Sequence, residues 1–197
     1  MLFVEQTQKV SDKIMKTKII TQIVSLPYED IGEAVEYSLK HDIPFLPELP
    51  KRGEYMLDYI KNPGKLSCLN EFKKHRYTIV KIQCVGPGTL TVNRYNEKEA
   101  VKRAYEHISN ILDGLNAEEI ILFLDEPALR KVRFNYKKLW EPLFNSFDVI
   151  PGVHICGNMN WSELFDSDIK IISFDASQYN ITNYSKYRNK KIIAWGY

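Results

Sequence analysis

The chain has 197 residues, which suits one domain over residues 1–197, and its 44% hydrophobic content is enough to bury a core. Its 27 basic and 25 acidic residues give a net charge of only +2 and form no long basic block, which argues against a protein that coats nucleic acid. Three cysteines cannot close a disulfide framework, the first residues carry no secretion signal, and no apolar run approaches the ~20 residues of a membrane span, so a cytoplasmic protein is expected.

Seven short runs rich in apolar and β-branched residues are typical of strands. They cover residues 18–26, 43–49, 78–85, 118–126, 149–157, 169–177 and 191–197. The second run is the weakest, because Pro44 and Pro47 have no backbone N–H to donate.

Helical patterns lie between the strand candidates, over residues 29–42, 53–62, 69–75, 97–112, 135–147, 160–167 and 181–190. The segment 97–112 has the clearest apolar face, formed by Val101, Ala104, Tyr105, Ile108, Ile111 and Leu112. Gly114 fits the C-terminal cap of that helix, and Pro142 is a break or kink within the later one.

Strands that alternate with helices predict parallel pairing through helical crossovers. Seven strands fall one short of a (β/α)8 barrel, so we expect an α/β domain of the TIM-barrel type that lacks about one strand–helix unit. An open doubly wound sheet is the alternative. The barrel is favoured because polar residues follow several strands at their carboxyl ends, where barrel active sites lie.

His154 and Cys156 are the sharpest local feature, since positions i and i+2 of a strand point to the same side. An imidazole nitrogen and a sulfur placed together are typical zinc ligands. The alternative is a hydrogen-bonded core histidine beside a buried thiol. Asp175, at the end of the next strand, could supply an oxygen or could cap a helix, and Cys84 is better explained as a core thiol.

Asp125 and Glu126 end a strongly apolar strand and must face opposite sides of it. An inward Asp125 would bind a ligand ammonium, whereas the alternative is an acid pair that caps the next helix. The loop 86–88, Gly-Pro-Gly, could bring backbone close to a ligand or could be a plain turn. It has neither the spacing of a dinucleotide-binding loop nor that of a Walker loop.

Taken in order, these motifs resemble the catalytic barrel of cobalamin-independent methionine synthase. They also resemble the wider superfamily of uroporphyrinogen decarboxylase and the zinc-dependent corrinoid methyltransferases. The resemblance runs from about Lys18 to the end, and its specific parts are the D-E-P-A-L and H-x-C-G elements. It is carried by Val24-Ser25-Leu26-Pro27, Pro47-Glu48, Val85-Gly86-Pro87-Gly88-Thr89, Leu124-Asp125-Glu126-Pro127-Ala128-Leu129, His154-Ile155-Cys156-Gly157-Asn158, Ile172-Ser173-Phe174-Asp175 and Ala194-Trp195-Gly196.

The resemblance implies one zinc ion and transfer of a methyl group to a thiol, which in methionine synthase is homocysteine. It implies zinc ligation by His154 and Cys156, with Asp175 where the family has a glutamate ligand. Asp125 would hold the substrate ammonium, Glu48 would also contact the amino acid, and Ser25 would help to bind its carboxylate. The family's further cysteine ligand belongs to a later strand than this sequence contains.

The resemblance leaves the methyl donor and two other functions open. Folate contacts are not recognisable in residues 91–94, so a methylated corrinoid is the expected donor. A porphyrinogen-type decarboxylase would need basic groups, for which Arg52, Arg94 and Arg130 are candidates. A shortened, non-catalytic relative that binds a small molecule or a partner is the other alternative, and a homo-oligomer could complete the barrel in trans. No nucleic acid or membrane partner is expected.

Overall fold

Five β-strands form one all-parallel sheet in the computed structural model, which describes residues 19–22, 24–128, 135–157, 161–175 and 191–196. The strands are β1 (Arg76–Val85), β2 (Asn116–Asp125), β3 (Ile150–Ile155), β4 (Ile171–Asp175) and β5 (Ile192–Gly196). Each strand pairs with the next one along the chain, so the order in space is the order in sequence. These pairings confirm the last five predicted strands and their parallel arrangement.

The described residues of the first two predicted strands, 18–26 and 43–49, form only isolated bridges. Ser25 pairs with Glu48, and Phe45 pairs with Lys81, both in parallel orientation. The proline at position 44 explains why this pairing stays short, because it removes a donor that a longer ladder would need. The bridges nevertheless place the segments in chain order, with 43–49 beside β1 and 18–26 beside 43–49.

Seven α-helices are described, and each lies near a predicted helix except one. They are α1 (Ile31–Leu39), α2 (Asp58–Lys61), α3 (Leu69–Phe72), α4 (Pro87–Val92), α5 (Glu97–Leu112), α6 (Tyr136–Phe144) and α7 (Trp161–Phe165), with a 3-10 helix at Pro50–Arg52. The exception is α4, where we expected a turn; Pro87 occupies its first position, which suits proline because that N–H has no helical partner. The predicted helix 181–190 lies outside the described residues.

The helix α5 has the bounds that its pattern predicts. Asn96 caps its first turn by accepting from the Glu99 N–H at 2.9 Å, and Ala104, Ile108 and Ile111 are buried. Tyr105 was wrongly assigned to the buried face, because it is 42% exposed and stacks on Phe147. Pro142 lies inside α6, which continues to Phe144 without ending there.

The two faces of the sheet bury different side chains. The face toward the helices forms the main core, with Val80, Ile82, Cys84, Leu122, Leu124, Val153, Ile155, Ile172 and Phe174. The opposite face has a smaller apolar cluster formed by Ile43, Ile121, Phe123, Ile150 and Ile171. Because side chains alternate along a strand, the polar residues between these two sets fall on the second face.

All three cysteines are free thiols: Cys68 and Cys84 are buried in the main core and Cys156 is exposed. This placement confirms that Cys84 is a core thiol. No helix within the described ranges is both long enough and apolar enough to cross a bilayer.

Candidate functional site

The polar side chains of the second face gather toward the carboxyl ends of the strands. We call them the polar cluster, which comprises Glu48, Lys81, Gln83, Asp125, His154, Cys156, Ser173 and Asp175. The strand register explains the grouping, because Asp125 is directly opposite His154, and His154 is directly opposite Ser173. Paired residues of neighbouring strands face the same way, so three successive strands present polar groups to one space.

Asp125 is the best-defined carboxylate of the polar cluster. It is 6% exposed, and its Oδ2 accepts a 2.7 Å hydrogen bond from Gln83 Nε2. Its Oδ1 is buried and has no hydrogen-bond partner among the described residues. Burial raises the pKa of Asp125, although the Gln83 hydrogen bond and the charges of His154 and Lys81 oppose that rise. An unpaired buried oxygen of this kind is unfavourable unless a donor is supplied from outside.

Glu48 brings a second buried carboxyl to the cluster, and Ser25 lies against it. The bridge between their backbones places Ser25 Oγ 3.2 Å from Glu48 Oε2, to which it donates. Burial and the nearby charge of Asp125 raise the pKa of Glu48 to about 7, while the Ser25 hydrogen bond acts against that shift. The structure thus brings together three of the predicted residues: Ser25, Glu48 and Asp125.

Lys81 is the buried cation of this face. Its Nζ donates to the backbone carbonyl of Gln22 at 2.6 Å and lies 5.2 Å from the centre of the Phe123 ring. Burial lowers the pKa of Lys81 to about 8, and the charges of Asp125 and Glu48 partly offset this effect. The ammonium therefore balances part of the negative charge of the two carboxyls.

His154 and Cys156 lie on the same side of the chain, which the sequence predicted, and they are in direct contact. His154 Nε2 lies 3.0 Å from Cys156 Sγ, and its Nδ1 lies 3.0 Å from Ser173 Oγ. Burial lowers the pKa of His154, whereas burial and then the charges of Asp125 and Asp175 raise the pKa of Cys156. The imidazole is thus favoured in its neutral form, which is the form that binds metals.

The donor pair fits a zinc ion. Two ligands of a tetrahedral zinc, at the usual N and S distances, would lie about 3.5 Å apart, so a small side-chain adjustment from the observed 3.0 Å suffices. Asp175 ends β4 on the same face, and its charge reaches both His154 and Cys156. In the described part of the chain, no three His, Cys, Asp or Glu side chains already converge as a metal site.

Glu126 faces away from the polar cluster and holds the glycine-proline loop. Its carboxylate is fully buried and accepts hydrogen bonds from the N–H groups of Gly88 and Thr89, from Thr89 Oγ1 and from Trp140 Nε1, at 2.6–2.9 Å. A Cβ on Gly86 would lie 2.2 Å from Glu126 Oε1. Glycine is therefore needed at position 86 for this close contact with Glu126. The N–H groups of Gly88 and Thr89 donate to Glu126 and are not available to a ligand.

Three residues of the polar cluster were missed from the sequence: Lys81, Gln83 and Ser173. Residues 78–85 were predicted as a strand without a polar face, yet Lys81 and Gln83 alternate with Val80, Ile82 and Cys84. That alternation was the signal of a strand with one polar face. Of the arginines considered for a decarboxylase, Arg52 and Arg94 are exposed and outside the polar cluster, and Arg130 lies outside the described residues.

The polar cluster combines a buried carboxylate, one oxygen of which lacks a donor among the described residues, with a neighbouring nitrogen–sulfur pair that suits a soft divalent metal. Such an arrangement can bind a molecule with both an ammonium group and a thiol. Compared with known proteins, the chain matches no protein-family model, no curated protein and no solved structure at a significant level.

Proposed function

We propose that this protein is a zinc-dependent methyltransferase of the methionine synthase type, which transfers a methyl group to the thiol of homocysteine. The observation that carries the proposal is the unpaired Oδ1 of Asp125 on the same face as the His154–Cys156 pair. One group suits an ammonium and the other suits a thiol-binding metal. Homocysteine has both functional groups in one small molecule.

The sheet topology supports a barrel of the (β/α)8 type that is short by about one unit. Right-handed crossovers between neighbouring parallel strands put every helix on one face. The other face then needs a different cover, and a sheet that curls toward a barrel buries it against itself. The cluster of Ile43, Ile121, Phe123, Ile150 and Ile171 fits the interior of such a sheet.

The side chains take the following roles in this proposal. Asp125 accepts from the substrate ammonium through Oδ1, and Glu48 lies beside it. Ser25, whose hydroxyl donates to Glu48 in the structure, would redirect that hydroxyl to the substrate carboxylate. His154 and Cys156 would hold zinc, with Asp175 as a further ligand. Zinc, when bound, lowers the pKa of a substrate thiol so that the sulfur is nucleophilic at neutral pH.

In the transfer, the substrate sulfur forms a bond to the methyl group while the bond between that methyl group and its donor breaks; the donor keeps the electron pair of the broken bond, and the thiol proton is released. A methylated corrinoid is the donor we propose. The buried carboxyls orient the amino acid so that its sulfur points in one direction, and this positioning makes the reaction effectively intramolecular.

Zinc content tests the metal site directly. Protein purified without chelator should contain about one zinc ion per chain, and His154→Ala should reduce that to below about 0.2, because a site loses metal when a ligand is removed. His75→Ala is the matched control, since His75 precedes β1 at the opposite end of the strands. Wild-type protein with less than about 0.2 zinc per chain, unchanged in His154→Ala, would contradict the proposal.

Turnover separates catalysis from binding alone. Zinc-loaded protein incubated with L-homocysteine and methylcobalamin should form methionine, and the His154→Ala protein should not. If zinc and homocysteine bind but no methionine appears, the chain binds these ligands without catalysing the transfer. Measurement of its size in solution then shows whether the protein assayed was a monomer that lacks a second copy needed to complete the barrel.

A further inference from the structure

We infer that Gln83 is a positioning residue for the ligand ammonium: it holds Asp125 so that one carboxylate oxygen is fixed and the other is free. This inference rests on the proposed function, because it assigns a role within the same site. The sequence pattern alone did not select Gln83, and its role follows from the contacts that the structure gives it.

The strand register brings Gln83 to Asp125. Val85 of β1 is directly opposite Asp125 of β2, so Gln83 is its diagonal neighbour on the same face. Diagonal neighbours lie ~7–8 Å apart at their backbones, a distance that a glutamine side chain spans. The resulting hydrogen bond from Gln83 Nε2 to Asp125 Oδ2 is 2.7 Å long, and both side chains are less than a tenth exposed.

This contact makes the two oxygens of Asp125 unequal. Oδ2 accepts from Gln83 of β1, a strand that is paired with β2 and cannot move independently of it. Oδ1 has no partner within the described part of the chain. A carboxylate held at one oxygen cannot rotate freely, so Oδ1 keeps one direction. Because Gln83 is neutral, it fixes the carboxylate without neutralising it, and the charge stays available for a ligand ammonium.

The Lys81 ammonium does not replace Gln83 in this role. Lys81 lies two residues earlier on β1, and its Nζ is bonded to the Gln22 carbonyl. It influences Asp125 through its charge, and no ion pair between the two is present in the described residues. The geometry of Asp125 thus depends on Gln83, and the charge balance of the site depends on Lys81.

Three probes distinguish positioning from a general structural effect: L-homocysteine, 4-mercaptobutanoate, which lacks the amino group, and L-2-aminobutanoate, which lacks the thiol. In Gln83→Met, which keeps the side-chain length but has no donor, zinc-loaded protein should bind both amino-bearing probes about tenfold more weakly in calorimetry. Binding of 4-mercaptobutanoate should stay within about twofold of wild type. Gln83→Asn, whose amide is one methylene too short, should reproduce this selective loss.

Asn116→Met is the control, since Asn116 is exposed at the amino end of β2, at the opposite end of the strands from the polar cluster. Unchanged affinity of Gln83→Met for the amino-bearing probes, or an equal loss for all three probes, would overturn the inference while leaving the proposed function intact. If wild-type protein binds neither amino-bearing probe, the proposed function itself fails, and the assignment of Gln83 falls with it. Thermal unfolding of each variant confirms that the protein assayed is folded.

Discussion

Asp125 and Glu126 are adjacent in the sequence and have opposite roles at the scale of single residues. Asp125 faces the polar cluster with one oxygen unpaired, whereas Glu126 faces the main core and accepts from four donors. Strand alternation separates them, since consecutive side chains point to opposite faces. One carboxylate is thus available to a ligand, and the other stabilises the fold.

The buried position of Glu126 predicts a pH-dependent contribution to stability. Burial raises its pKa from 4.5 to about 7, even though its hydrogen bonds act in the other direction. As the pH rises from about 4.5 to about 7, the unfolded chain loses the Glu126 proton while the folded chain keeps it. The contribution of Glu126 to the free energy of unfolding should therefore fall by about 3 kcal/mol over this pH range.

The variant Glu126→Gln has no titrating group at position 126, so it is the reference for the pH dependence of the wild type. In urea unfolding at a series of pH values, the stability of wild type relative to Glu126→Gln should decrease from about pH 4.5 to about pH 7 and then level off. A difference that is independent of pH would mean that Glu126 titrates alike in the folded and unfolded chains.

The contact between the loop after β1 and Glu126 gives a prediction at the scale of elements. Gly86→Ala would force its Cβ to 2.2 Å from the buried Glu126 Oε1, so the loop or the carboxylate must move. We expect a loss of about 3 kcal/mol, because several buried hydrogen bonds to the Glu126 carboxyl are disrupted together. Chemical denaturation measures this loss.

Gly32→Ala is the matched control for that substitution. Gly32 lies in α1, where its new Cβ would meet only the Asp30 side chain at 3.2 Å. Its effect should stay within about 1 kcal/mol of wild type, the usual range for this exchange in a helix. Equal losses for the two variants would show that the Gly86–Glu126 contact has no special importance.

The elements were predictable where periodicity was long or strongly apolar. The helix α5 and the strands β1–β5 have clear patterns, and the sequence indicated each of them. The short α4 was not predicted, since a glycine and a proline were interpreted as a turn although proline is common at the first helical position. The segments 18–26 and 43–49 were predicted as strands, but their described residues form only isolated bridges.

The candidate site was predictable where its residues are close together in the sequence, so that local strand geometry fixes their relative positions. The i and i+2 spacing of His154 and Cys156 predicted that they point to the same side, and they are in contact although β3 ends at Ile155. Gln83 and Lys81 could not be selected in the same way, since their importance comes from the register between β1 and β2 and from backbone partners distant in sequence. The link between the glycine-proline loop and Glu126 likewise depends on tertiary packing.

At the scale of the whole molecule, the polar cluster joins parts of the chain that are far apart in sequence. Glu48 comes from the segment before β1, Gln83 from β1, Asp125 from β2 and His154 from β3. A ligand that contacts several of these residues binds only when the whole sheet is assembled. Ligand binding is therefore coupled to global stability and not to one element alone.

This coupling predicts a thermal shift. With L-homocysteine at about a hundred times its dissociation constant, zinc-loaded protein should gain about 2.7 kcal/mol, which raises the melting temperature by roughly 5–10 °C in a chain of this size. Asp125→Asn should abolish most of the shift, because the amide cannot balance the ligand ammonium. Asp42→Asn should keep it, since Asp42 is exposed beside Ile20 and its acceptor oxygen survives the exchange. A shift of the same size in Asp125→Asn would mean that homocysteine stabilises the protein from a site other than the polar cluster.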